Sequence, residues 1–235
     1  MEVLYEDNHI IIVNKASGEI VQGDKTGDKP MGEAVKAYIK EKYAKPGDVF
    51  LGVIHRLDRP VTGVVTFART GKGLARMSEL FRTGGVQKTY HAIVTPPAHW
   101  PADAEEWHCL ENWLTRNEKQ NKSYAHNTEV KGSKLARLDW RLLAKGERYA
   151  LVEVRLHTGR HHQIRCQLAA AGMVVKGDLK YGARRSNPDG SISLHARRIA
   201  FEHPVSHKPI DVIAPYPAGS LWEKLGGGGD ASPKD

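Results

Sequence analysis

Apolar and polar positions along this chain follow two periods, and the switches between them mark its elements. Ile10-Ile11-Ile12-Val13 is a β-branched apolar run, so residues 3–14 read as a strand with its approach, ended by the turn signal Asn14-Lys15-Ala16-Ser17-Gly18. Ala34, Val35, Tyr38 and Ile39 stand at helical spacing and predict a helix from Met31 to Tyr43. Strands follow at Phe50 to Ile54 and Gly63 to Ala68. A helix from Gly73 to Phe81 comes next, then a strand from Val86 to Val94, broken by Thr95-Pro96-Pro97. Strict alternation in Leu135 to Leu143 puts Ala136, Leu138, Trp140 and Leu142 on one side. With Ala150 to Leu156 it forms a β-hairpin across Lys145-Gly146-Glu147. Thr158-Gly159 caps a helix from about Arg160 to Ala171, which Gly172 ends. Leu194 to Phe201 and Ile210 to Ala214 are the last strands. Residues 98–132 show no clear period and read as an irregular insertion with one strand.

Many strands joined mostly by hairpins, with a few helices between them, predict an α+β fold around a largely antiparallel sheet. The chain has 235 residues, enough for one large domain or two small ones, and 40% of them are hydrophobic. With no repeat and no long linker, residues 1–225 read as one domain. Residues 226–235, with their glycine run, read as a disordered tail. No apolar stretch approaches membrane-spanning length, and the first residues lack a basic, apolar leader, so a cytoplasmic location is expected. The two cysteines, Cys109 and Cys166, are too few for a disulfide framework. A formal charge of +8 favours a polyanionic partner, nucleic acid before membrane, since no basic amphipathic helix is visible.

Two stretches carry candidate chemistry. In Gly52-Val53-Ile54-His55-Arg56-Leu57-Asp58-Arg59-Pro60 a carboxylate stands between two arginines, after an apolar run and before a proline turn. A lone Asp there is ordinarily a turn former. The apolar neighbours Val53, Ile54 and Leu57 suggest partial burial instead, where a carboxylate needs a partner, and Arg56 and Arg59 favour its charged form. In His157-Thr158-Gly159-Arg160-His161-His162-Gln163-Ile164-Arg165 a strand end passes into a helix N-terminus, where free N–H groups and the cations Arg160, His161 and His162 attract anions. His161, Ile164, Arg165 and Leu168 share a helical face; Ile164 and Leu168 anchor it, and Arg165 lies beside them in need of a carboxylate. A metal site is not expected, because neither stretch has ligand spacing.

Together these segments resemble the two signatures of the RluA family of RNA pseudouridine synthases, His-Arg-Leu-Asp and Thr-Gly-Arg-x-His-Gln-Ile-Arg. Lys88-Thr89-Tyr90 is similar to the family's strand motif with its tyrosine, and Gly177-Asp178, Tyr181-Gly182, Leu194-His195-Ala196 and His203-Pro204 match positions read as core and turn. The likeness runs from about residue 3 to residue 217. It implies a pseudouridine-synthase fold with its cleft across the sheet, no cofactor, and structured ribosomal or transfer RNA as substrate. Asp58 would be the catalytic carboxylate, Arg165 its partner, and Tyr90 would lie against the target base. Arg56, His55, Arg59, Arg160, His162, Gln163, Ile164 and Leu168 would bind substrate, with Arg56 entering the space left by the flipped nucleotide or binding its phosphate, and Ile164 and Leu168 closing on the base. The chain departs from the family pattern at Ala16 (usually Pro), Val61-Thr62 (Thr-Ser), His161 (Thr or Ser) and Gln167 (His). The family's S4-like RNA-binding module is expected to be absent, and the protein to act as a monomer.

Two other readings compete. One is an idle RNA-binding or RNA-folding protein on the same scaffold, kept open by the departures at Val61, His161 and Gln167. The other is a hydrolase using Asp58 and His55, for which no nucleophile elbow, metal motif or carboxylate pair is present.

Overall fold

A computed structural model describes residues 1–23 and 27–226. The chain forms two compact units, one of residues 1–88 with 196–215, the other of residues 89–195 with the segment from Tyr216 onward.

In the first unit, strands β1 (Glu2–Glu6) and β2 (Ile10–Lys15) make a hairpin where the sequence predicts a single strand. The cause is Asp7: its Oδ1 accepts from His9 N at 2.7 Å and Ile10 N at 2.9 Å, closing a tight turn inside an apparently continuous run. Helix α1 (Met31–Lys42) forms as expected, burying Met31, Val35 and Ile39. The Phe50 to Ile54 segment contributes only β3 (Gly52–Val53), paired with β4 (Thr62–Ala68), which also pairs β2. Helix α2 (Gly71–Thr83) starts two residues before the predicted Gly73. Thr70 is its N-cap, with Oγ1 accepting from Gly73 N, and Gly84 closes it in the left-handed region. Strands β10 (Leu194–Glu202) and β11 (Pro209–Ile213) pair antiparallel. Ile10, Ile12, Val64, Met77, Ile199 and Phe201 are among the residues that form this unit's core.

The second unit is built on an antiparallel ladder. Strand β5 (Val86–Val94) pairs β9 (Ala150–Leu156), which pairs β8 (Lys134–Lys145). The predicted β8–β9 hairpin is present, and Ala136, Leu138, Trp140 and Leu142 are all buried. The insertion is more regular than its sequence suggests. Strands β6 (His108–Asn117) and β7 (Lys122–His126) form a second hairpin, with β6 laid against β8. Its positions are mostly polar and half-exposed, so the period that betrays a strand is weak. Helix α3 (Gln163–Ala170) is shorter than predicted, and residues 160–162 precede it. A final helix, α4 (Ser220–Gly226), was not expected. Trp222 on it packs against Ile93 and Leu151, and it takes Gly226 out of the supposed tail; residues 227–235 lie outside the described residues.

The α+β class and the largely antiparallel sheet are therefore as predicted. No helix among the described residues is long and apolar enough to cross a membrane.

Candidate active site

In the first unit, Asp58 is half-buried in a turn closed by Val61 N donating to Asp58 O at 3.0 Å. That turn is held from inside by Lys15, only 1% exposed at the end of β2. Its Nζ donates to Ala16 O at 3.1 Å, Arg59 O at 2.9 Å and Val61 O at 2.7 Å, using its three N–H on three carbonyls. Gly18 N donates to Arg59 O as well. Burial pushes the Lys15 ammonium down to about 8, against the pull of the Glu19 and Asp58 carboxylates. Downstream, Gly63 has φ +110°, and a Cβ there would stand 2.3 Å from Ala196 O, so only glycine lets β4 approach β10 this closely.

The neighbours of Asp58 divide into two kinds. His55 turns inward: its ring stacks on Phe81 with centroids 4.8 Å apart, and Nε2 accepts from Thr66 N at 3.0 Å. Enclosure of the ring, helped by the Lys88 charge, pushes its pKa down to about 3, so it is a neutral acceptor. With Nε2 committed to the backbone of β4, His55 braces the turn. Arg56 is exposed and reaches Gln22 Oε1 at 3.4 Å, while Arg59 pairs with Asp28 at 2.6 Å across an open surface.

In the second unit, Tyr90 is 8% exposed on β5, opposite Val154 of β9. The segment before α3 is shaped differently from a capped helix start. His162 is the N-cap residue, in the left-handed region at φ 52°, and makes no side-chain cap. Thr158, expected to cap the helix, instead donates from Oγ1 to Gln163 Oε1 at 2.8 Å and accepts from Arg137 N. Gln163 also accepts from Arg160 N and donates to Arg137 O, so its amide shapes the loop. Arg160 is exposed, with Nε on Leu135 O at 2.9 Å. Ile164 and Leu168 are 5% and 0% exposed, so Leu168 belongs wholly to the core.

Arg165 is buried, and its carboxylate is visible in this unit: Nε donates to Asp178 Oδ2 at 2.7 Å and Nη2 to Oδ1 at 2.9 Å. The guanidinium lies 5.1 Å from the centre of the Tyr181 ring. Tyr181 OH accepts from Ser123 N at 2.8 Å and bonds His162 Nδ1 at 3.0 Å. Burial, seconded by Arg165, pushes His162 down to about 2, and burial pushes the Tyr181 phenol up to about 12. The two departures in this segment both bond to the β6–β7 hairpin. His161 bonds Ser123 Oγ at 2.9 Å and Asn121 Oδ1 at 3.0 Å, tying β7 to the start of α3. Gln167, fully buried, donates to Leu110 O and Asn112 Oδ1 of β6.

Sequence reasoning thus missed Lys15 and Asp178 as supports of the two candidate charges. Lys15 sat in a recognised turn and Asp178 in a matched Gly-Asp pair, but nothing local marks either as buried. Among the described residues, no three His, Cys, Asp or Glu side chains stand together as metal ligands.

The antiparallel ladders with these elements are the fold of the pseudouridine synthases. The solved human RNA pseudouridylate synthase domain containing 4 covers 92% of this chain, which covers 88% of it, with a TM-score of 0.73 at 21% identity. Residues 9–170 match the family model described as RNA pseudouridylate synthase. Ribosomal large subunit pseudouridine synthase C of Vibrio cholerae is 32% identical over 92% of this chain and 66% of its own length; that of Vibrio vulnificus is 30% identical over 95% and 67%. The chain therefore belongs to the RNA pseudouridylate synthase family, a family of isomerases, and spans about two thirds of the length of these relatives.

Proposed function

We propose that this chain isomerises uridine to pseudouridine in structured RNA, ribosomal or transfer RNA, with Asp58, Tyr90 and Arg165 as its catalytic residues and residues 1–225 working as one catalytic domain. The observation that carries the reading is the Asp58 turn: a half-buried carboxylate on a backbone fixed by a buried lysine, at the place where the family signature puts its aspartate.

The reaction breaks the N1–C1′ bond, turns the base and joins C5 to C1′; C5 loses a proton and N1 gains one. No electron is transferred and no group is imported, so the residues need only bind, orient and move a proton. The base must leave its stack to be reached, which calls for a pocket with a stacking face. Tyr90 serves as that face, Ile164 lines the pocket, and Arg56 takes the vacated position or the neighbouring phosphate. Asp58 works either as nucleophile or as base toward the sugar. Arg59, Arg160 and the neutral His162 hold the surrounding RNA, with His55 and Gln163 fixing the loops and Leu168 the helix beneath. The names of the relatives support a ribosomal RNA substrate. The protein acts in the cytoplasm as a monomer.

The test is tritium release from transcripts labelled at C5 of uridine, because only formation of the new C–C bond expels that hydrogen. Release that depends on the wild-type protein and disappears in Asp58→Asn supports the reading. An idle RNA-binding protein would bind the same transcripts and release nothing.

A further inference from the structure

The β6–β7 hairpin has little apolar contact to hold it in place. β7 lies at the edge of the sheet against β6, and each of the two strands buries a single residue, Leu114 and Ser123. The turn between them passes through Asn121, in the left-handed region at φ 46°, with Asn121 N on Glu118 O at 3.2 Å. Segments with so few buried apolar contacts open most readily in a fold. Yet this one carries the exposed cations Arg116 and Lys119 and the half-buried Lys122, whose use depends on where they stand.

His161, just before α3, ties the hairpin down at two points. Ser123 Oγ donates to His161 O at 2.7 Å, which leaves it to accept from His161 Nδ1 at 2.9 Å. Nε2 of the same ring bonds the Asn121 side-chain amide at 3.0 Å. The ring lies on that of His162, with centroids 3.8 Å and planes 21° apart. His162 bonds Tyr181 OH at 3.0 Å, and that oxygen also accepts from Ser123 N. Lys180 adds bonds from Nζ to Gln120 O at 3.0 Å and Asn121 O at 3.1 Å. Both ring nitrogens of His161 thus go to one hairpin, and its backbone carbonyl does too. Arg160, exposed and next along the chain, is thereby held at a set distance from the hairpin's cations. Folded RNA is recognised largely by its shape and backbone, so fixed cations suit its fixed phosphates. Cations ordered before the RNA arrives also need no ordering when it binds.

We infer that His161 is a positioning residue for substrate binding: it locks the basic hairpin to the start of α3, so that Arg116, Lys119, Lys122 and Arg160 match the phosphates of a folded RNA in preference to a flexible strand. This rests on the proposed action on structured RNA. With the lock removed, the side chains are ordered only on binding, at a cost of roughly tenfold in affinity for a folded RNA. A flexible strand adapts to either arrangement and loses nothing. The same phosphates are neutralised once the RNA is bound, so the salt dependence stays the same, whereas loss of a direct phosphate contact would lower its slope by about 1.

The experiment measures binding of a uridine-containing stem-loop and of an unstructured oligouridine of the same length across a salt series. The proteins are wild type, His161→Ala, Asn121→Gly and the double variant; glycine removes the amide and suits the left-handed backbone. Each single variant should bind the stem-loop about tenfold more weakly, with oligouridine affinity and the salt slope unchanged. Tritium release on the stem-loop should show KM raised to match and kcat within about threefold of wild type. The double variant should be no weaker than the singles, because both break the same lock. Undiminished stem-loop binding, an equal loss on both RNAs, a slope lowered by about 1 or additive losses in the double variant would each overturn the inference. If His161→Ala does not fold, Asn121→Gly decides by the same affinities and slope. If the wild type isomerises no uridine, the reading of the function has failed, and the binding series still decides the inference.

Discussion

At the residue scale, the candidate chemistry depends on groups that never touch solvent. Lys15 and Gly63 flank the Asp58 turn, one supplying three hydrogen bonds and the other an absent side chain. Gly63→Ala must force a Cβ against the Ala196 carbonyl at a strained φ, for which backbone strain and overpacking together cost about 2–5 kcal/mol. Urea unfolding should show that loss; a variant as stable as wild type would contradict the close approach of β4 to β10. The two inward histidines give a second prediction. His55 and His162 ordinarily titrate near 6.5 and are lowered to about 3 and about 2, so below 6.5 the unfolded chain takes up protons that the folded chain refuses. Stability then rises with pH across that range and is lost as pH falls from 6.5 toward 3. His162→Asn should reduce that slope by up to one proton, read from urea midpoints between those limits. The catalytic candidates were legible because Asp58, Tyr90 and Arg165 lie inside recognisable signatures. Their supports were not, because the burial of Lys15 and Asp178 comes from contacts with chain 46 and 13 residues away.

At the element scale, long alternating segments such as β8 could be read directly, since one face is wholly apolar. The hairpin of β6 and β7 could not, because β6 buries little and its partners are set by pairing with β8 rather than by its own pattern. Helix α3 was predicted three residues too early because Thr158 looks like a cap, whereas its hydroxyl serves Gln163 and the β8 backbone. The β6–β7 hairpin presents Arg116, Lys119 and Lys122, and its turn is tethered by Lys180, whose Nζ donates to Gln120 O and Asn121 O. If these cations bind RNA phosphates, replacing Arg116, Lys119 and Lys122 with Gln should reduce the slope of log K against log salt by about 2. Filter binding across a salt series measures it, and an unchanged slope would place the RNA elsewhere.

At the scale of the whole molecule, the net charge of +8 pointed to a polyanion and the hairpin-rich pattern to an antiparallel α+β fold. Neither says which reaction occurs; the proposed isomerisation rests on the signatures and the family membership. The isomerisation leaves the mass of the RNA unchanged, so it must be seen by its chemistry. The most direct measurement is base-resolved mapping of pseudouridine, by carbodiimide labelling of RNA from cells lacking this gene, complemented with either wild type or Asp58→Asn. The account predicts at least one uridine converted with the wild type and left unconverted with Asp58→Asn, although both proteins are folded and bind RNA alike. A site converted equally by both would remove Asp58 from the chemistry, and no converted site at all would remove the activity.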